Sequence, residues 1–175
     1  MHNSDYGVEA ARVQIRATDI YNSTVSSLQG NADYYRHLCA QIDKQRLAVD
    51  KVWSEIVFLK RIGDPVPEPL TETHNTRFNN LELLQNSLAE TAVEIHHDRE
   101  LLLHAVRILE LNPYNNVLPK SRSVDLTDPN KFPDAFDEQD IHWINTAELY
   151  YQDIKTTPLM QRLEQAKRER AKEQE

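Results

Sequence analysis

Apolar residues recur at every seventh position in two long stretches, and that spacing leaves this chain few folds to choose from. The first ladder is Tyr21, Leu28, Tyr35, Ile42, Val49 and Ile56; the second is Leu81, Leu88, Ile95, Leu102 and Leu109. A seven-residue repeat draws a continuous stripe along one side of a long helix, and the stripe is stable only when another helix covers it. Between the ladders lies Gly63-Asp64-Pro65-Val66-Pro67-Glu68-Pro69. Each residue before a proline is pushed out of the α region, so this linker is short, stiff and extended. Two long helices joined in this way favour an antiparallel hairpin.

The first helix is expected over residues 8–62, about 80 Å at 1.5 Å per residue. Ser4 or Asp5 can cap its start, Gly63 ends it, and Pro65 forbids continuation. Gly30 is a weak point where a break could start, with Asn31 as a new cap. The ladder nevertheless keeps its phase from Leu28 to Tyr35, and one glycine is tolerated in a helix, so a continuous helix is expected. The second helix is expected over 71–111, with its threonine- and asparagine-rich start frayed before Phe78. Asn112-Pro113 stops it.

In an antiparallel pair, the a positions of one strand face the d positions of the other. One register sets Val52 against Leu81, Val49 against Leu84, Leu38 against Ile95 and Tyr35 against Asp98, where the Tyr35 hydroxyl would satisfy the carboxylate. Asn31, Gln45, Thr91 and Asp98 are polar seam positions; each costs stability and can fix register.

Residues 113–133 have no helical period and carry prolines at 113, 119, 129 and 133. This segment reads as a docking strand or a tether. Tyr114, Val117, Leu118, Val124, Leu126 and Phe132 could pin it, and Ser121 and Ser123 beside Lys120 and Arg122 are candidates for phosphorylation. A third helix should begin near Asp134 or Asp137, with Ile141, Ile144, Ala147, Tyr151 and Ile154 on one face. Thr157 as cap and Pro158 at the first helical position predict a last helix. From Lys167 to Glu175 nearly every residue is charged, and fraying is expected. The predicted class is therefore all-α. An elongated helical hairpin or coiled coil over 1–112 is followed by an extended proline-containing linker over 113–133. A C-terminal helical docking segment with a charged tail occupies 134–175.

Composition narrows the function. Apolar residues make up 39% of the chain, below the roughly 45–50% of a compact globular domain, which fits long paired helices better than a compact enzyme. The net charge of −8 is uneven: residues 63–112 hold nine carboxylates and three arginines. An acidic stretch repels nucleic acid and anionic lipid and suits a basic protein surface; it also serves as an ordinary solvated helix face. Cys39 is the only cysteine, so no internal disulfide forms. No run of apolar residues is long enough to span a membrane, and no secretory signal is visible. Cytosol or nucleus is the expected compartment.

Catalytic patterns are scarce. There is no glycine-rich phosphate loop and no Gly-x-Ser-x-Gly. Glu94-x-x-His97 matches half of a di-iron helix motif, but a second copy is missing. His96, Glu100 and His104 share one helix face that should point outward. No cofactor is expected. The apolar face, by contrast, is wider than one partner helix covers. Val25, Trp53, Val57 and Phe58 flank the first ladder, and Val106 and Ile108 flank the second. Ile141, Trp143, Ile144, Tyr150, Tyr151 and Ile154 give the third helix a docking face of its own, rich in the aromatics that anchor interfaces. These twelve residues are the candidate partner-binding set. The expected role is a non-enzymatic structural subunit that binds the helices of other proteins in a hetero-oligomeric complex. The alternative is a self-contained three- or four-helix bundle acting as an adaptor or regulator; a helical metal-binding protein is the remote one.

Overall fold

The computed structural model describes residues 2–112 and 124–174, with side chains from residue 7 onward. Helix α1 spans His2–Ile62, α2 Glu68–Leu111, α3 Glu138–Ile154 and α4 Pro158–Glu173, with a single 3-10 turn at Pro129–Lys131. No strand occurs among the described residues. The two long helices pack as a hairpin, and the two short ones follow. Contacts divide the chain into two units that cut across the helices. Unit 1 comprises Met1–Asp33 and Ala92–Asp153; unit 2 comprises Tyr34–Thr91 and Ile154–Glu175.

α1 begins at His2, ahead of Ser4 and Asp5, so neither residue is its cap. It passes through Gly30 without a break. A Cβ at Gly30 would meet nothing within 4 Å. At Gly63 the backbone turns left-handed, with φ 77°. There the Asp64 amide donates to the Leu59 carbonyl at 3.0 Å and the Gly63 amide to that of Lys60 at 3.3 Å. This is a Schellman ending, which requires a residue that accepts positive φ. The two glycines should therefore respond oppositely to alanine. Gly30→Ala is expected to raise stability by about 0.5–1 kcal/mol, and Gly63→Ala to lower it by about 1 kcal/mol, in urea titrations of the full chain.

α2 starts three residues earlier than its propensities suggest and does not wait for Phe78. The Leu70 and Thr71 amides donate to the Pro67 carbonyl. The Thr73 hydroxyl donates to the Pro69 carbonyl at 2.8 Å. Tertiary contacts in unit 2 hold this start. Arg77 Nη1 donates to the Ala48 carbonyl of α1 at 3.3 Å, and the His74 ring lies 5.3 Å from that of Trp53. Packing overrides a weak local preference. The unit's core joins Ile42, Val49 and Leu81, with Leu84 and Leu88 against them.

In unit 1 the seam buries Leu28, Ile95, Leu102 and Leu109 completely. Its register differs from the one expected from sequence. Asp98 accepts from the Ser27 hydroxyl at 2.7 Å and from Asn31 Nδ2 at 3.2 Å, about two turns and one turn before Tyr35, respectively. A polar seam residue of α1, Asn31, therefore meets a polar seam residue of α2, and Tyr35 is buried in the core. At the far end of the same unit, Asn112 Nδ2 donates to the Ala10 carbonyl at 2.9 Å.

The described part of the proline-containing segment is structured. The Asp125 amide donates to the Lys131 carbonyl at 3.0 Å, and Asp128 Oδ1 caps the 3-10 turn by accepting from the Asn130 amide. Leu126 and Phe132 are buried, as expected of pinning residues. Gln29 Nε2 holds the segment to α1 by donating to the Ala135 carbonyl at 2.8 Å. Tyr114, Val117, Leu118, Ser121 and Ser123 lie outside the described residues.

Asp137 caps α3: the Asp140 amide donates to Asp137 Oδ1 at 2.7 Å, and the Asp137 amide donates to Asp140 Oδ2 at 3.3 Å. This is a reciprocal capping box, with Asp in place of Glu. α4 begins with Pro158 at its first position. Thr157 makes no side-chain cap, because its hydroxyl donates backward to the Ile154 carbonyl at 2.6 Å. The charged tail stays helical to Glu173. Gln165 donates to Glu169 one turn on, and Arg170 Nη2 lies 3.8 Å from Glu90 of α2. At this exposure each such pair contributes about a few tenths of a kcal/mol at most.

Candidate protein-interaction site

The twelve residues singled out in the sequence separate into two groups. Val25, Val106, Ile144 and Ile154 are buried in the chain's own core, which removes them from any surface open to a partner. Val57, Ile108, Ile141, Trp143, Tyr150 and Tyr151 are half-buried. Trp53 and Phe58 are 49% and 62% exposed.

In unit 1 the apolar flank of the hairpin is closed by α3, through Ile144 and Ala147, and by Leu126, Phe132 and Phe136 of the preceding segment. The closure is keyed by charge. Arg99 of α2 is buried. Its Nη1 lies 2.9 Å from Glu148 Oε1 of α3, and its Nη2 donates to the Leu126 carbonyl at 3.3 Å. Arg99 Nε is buried without an acceptor. His96 Nδ1 lies 3.0 Å from Glu148 Oε2, and its ring stacks on Tyr151 at 4.0 Å with an interplanar angle of 17°. Gln152 donates to Glu148 Oε1 at 2.8 Å. Burial pushes the Glu148 carboxyl up. The hydrogen bonds from Gln152 and His96, together with the Arg99 guanidinium, outweigh that push and hold it below the usual range.

The network corrects one expectation from the sequence. His96 does not point outward with Glu100 and His104; it lies on the flank that α3 covers, one position from the seam residue Ile95. Tyr151, a candidate anchor for a partner, is engaged by His96 instead. Arg99 and Glu148 were absent from the candidate set, yet a signal existed. Ala92, Arg99 and Val106 stand seven residues apart, so an arginine occupies an otherwise apolar column and needs a counter-charge.

Unit 2 retains exposed apolar surface. Phe58 and Leu47 project from α1, and Phe78 and Leu83 from α2. Ser54, Glu55, Phe58, Leu59 and Leu70 line a shallow depression of about 390 Å³ beside the linker. On another flank, Trp53, His74 and Phe78 form a row, with His74 and Phe78 stacked at 6.2 Å. Lys60 Nζ stands 6.0 Å from the Trp53 ring, at the outer limit of a cation–π contact.

Cys39 is half-buried. Burial, and then the charge of Asp43, raise its thiol pKa, which lowers the thiolate fraction that nucleophilic chemistry needs. His37 is engaged with Gln41 one turn away, at 3.1 Å. Glu94 and His97 are both exposed, and no group of three metal-ligating side chains converges among the described residues. Among the same residues, no helix is long and apolar enough to cross a membrane. Compared with protein-family models, curated proteins and solved structures, the chain matches none.

Proposed function

We propose that this chain is a non-enzymatic structural subunit that binds helices of other proteins through the exposed apolar flanks of unit 2. The observation that carries this reading is the set of large apolar side chains left in solvent on helices whose own seam is filled. Ile42, Val49 and Leu81 are buried between α1 and α2, whereas Trp53, Phe58 and Phe78 are about half exposed or more. The Phe58 depression and the Trp53–His74–Phe78 row are two exposed apolar patches, surface of the kind that marks interaction sites in folded proteins, and their aromatics suit them to tight packing. Exposed Glu68, Glu72 and Glu82 on the same stretch of α2 favour a partner with basic flanks. Glu90 is already met by Arg170.

The test is a comparison of the full chain with Phe58→Glu. Both should melt alike, because Phe58 is on the surface. A helical partner should copurify with the native chain, slow amide exchange around Trp53–Phe58, and be lost with the variant. Identical copurification and exchange for the two chains would overturn the proposal.

One observation favours the second reading, a self-contained adaptor: in unit 1 the chain covers its own hairpin flank with α3. That reading predicts a monomer by light scattering whose behaviour Phe58→Glu leaves unchanged.

A further inference from the structure

Within unit 1, the 129–136 segment and α3 leave an open groove of about 770 Å³ between them. Phe132, Phe136, Ile141 and Leu149 supply its apolar surface. Phe132 and Phe136 meet edge to face at 5.8 Å and make a firm wall. Leu149 is 69% exposed, so it adds little to the chain's own core. Asp134 and Glu138 stand in the lining, and both side chains face solvent.

The groove's lining holds two carboxylates, Asp134 and Glu138, and no lysine or arginine. Residues 124–142 hold six carboxylates and one lysine. That lysine, Lys131, acts on Asp125: the hydroxyl and amide of Thr127 chiefly, and Lys131 to a lesser degree, hold the Asp125 carboxyl below its usual range. At the start of α3 the trend reverses. Asp140 is raised, first by burial and then by the negative charges of Asp137 and Asp33.

We propose that this groove docks a short arginine- or lysine-bearing segment of a partner protein. Its cationic head meets Asp134 and Glu138, and a neighbouring apolar side chain covers Leu149 and Ile141. The acidic rim steers and orients the segment, and the apolar contact supplies burial. A purely cationic chain lacks the anchor. A purely apolar helix gains nothing from the rim, and nucleic acid is repelled by it. This surface is separate from the exposed flanks of unit 2 and stands whether or not those flanks bind helices.

The test uses the full chain and a fluorescein-labelled peptide of alternating arginine and leucine, followed by fluorescence anisotropy at physiological salt. One control peptide carries glutamate in place of arginine; the other carries serine in place of leucine. The arginine–leucine peptide should bind, and both controls should bind at least about tenfold more weakly, a difference of about 1.4 kcal/mol. Glu138→Gln, and separately Leu149→Ser, should each weaken binding by about tenfold. Glu138 and Leu149 are exposed, so thermal melts of both variants should match the native chain. Several results overturn the proposal: absence of binding, equal binding of the arginine–serine peptide, or binding indifferent to both variants. Light scattering that shows a dimer dissolved by Leu149→Ser would overturn it too, since the groove would then hold a second copy of the chain.

Discussion

Ile95→Asp is expected to abolish cooperative folding of unit 1, with a loss of about 4 kcal/mol or more. Ile95 is fully buried, on the helix face between α2 and α1. Burying its side chain stabilises by roughly 1.5–3 kcal/mol, and a carboxylate there loses that contribution and its hydration together. The nearest polar group in sequence, His96, is already committed to Glu148. Circular dichroism should show a large fall in helicity and no sharp melt. Glu100→Ala and His104→Ala, on the exposed face of the same helix, should stay within about 0.5 kcal/mol of the native chain. A native-like melt for Ile95→Asp would mean that this helix face is not a core.

The second large effect concerns the ion pair that docks α3. Glu148→Ala should cost about 3–5 kcal/mol, because it strands the Arg99 guanidinium in a site that is nearly closed to water. The double variant Arg99→Met with Glu148→Leu should recover most of that loss, since an apolar pair of similar volume avoids the desolvation penalty of both ions. A coupling energy near zero in the double-mutant cycle would contradict the contact. Acid gives an independent readout. The folded-state pKa of Glu148 is depressed, so the unfolded chain binds the proton more readily. The network's contribution is therefore fully present above the unfolded value and is lost as pH falls through the folded one. Urea midpoints measured from neutral to about pH 3 should fall on the acid side of the usual carboxylate range. The double variant should lack that component.

Much of the architecture was legible in the chain. The ladders gave both long helices, Gly63 and the prolines gave the turn, and Asp137 and Pro158 gave the starts of the short helices. Local propensity misled at two places. The Thr/Asn-rich start of α2 is helical because Arg77 and His74 reach α1. The charged end of α4 is helical, with Arg170 near Glu90 and Gln165 donating to Glu169. Register was misjudged because Tyr35 and Asn31 are both plausible partners for Asp98, and a heptad pattern specifies which face is buried more firmly than which turn meets which.

Covering the flanks was a different kind of question. Val25, Val106 and Trp53 look alike in sequence as apolar residues beside a seam. The first two are core and Trp53 is surface, because α3 returns to unit 1 and places Glu148 against Arg99. Arg99 announces only that a counter-charge is needed; that Glu148 supplies it depends on a contact between positions about fifty residues apart. Periodicity is a property of neighbouring residues, so the amino-acid order alone determined that long helices exist and which side of each must be hidden. What hides each side, and which apolar side chains remain in water, was decided only in three dimensions, where burial and ion pairing compete among distant segments for the same surface.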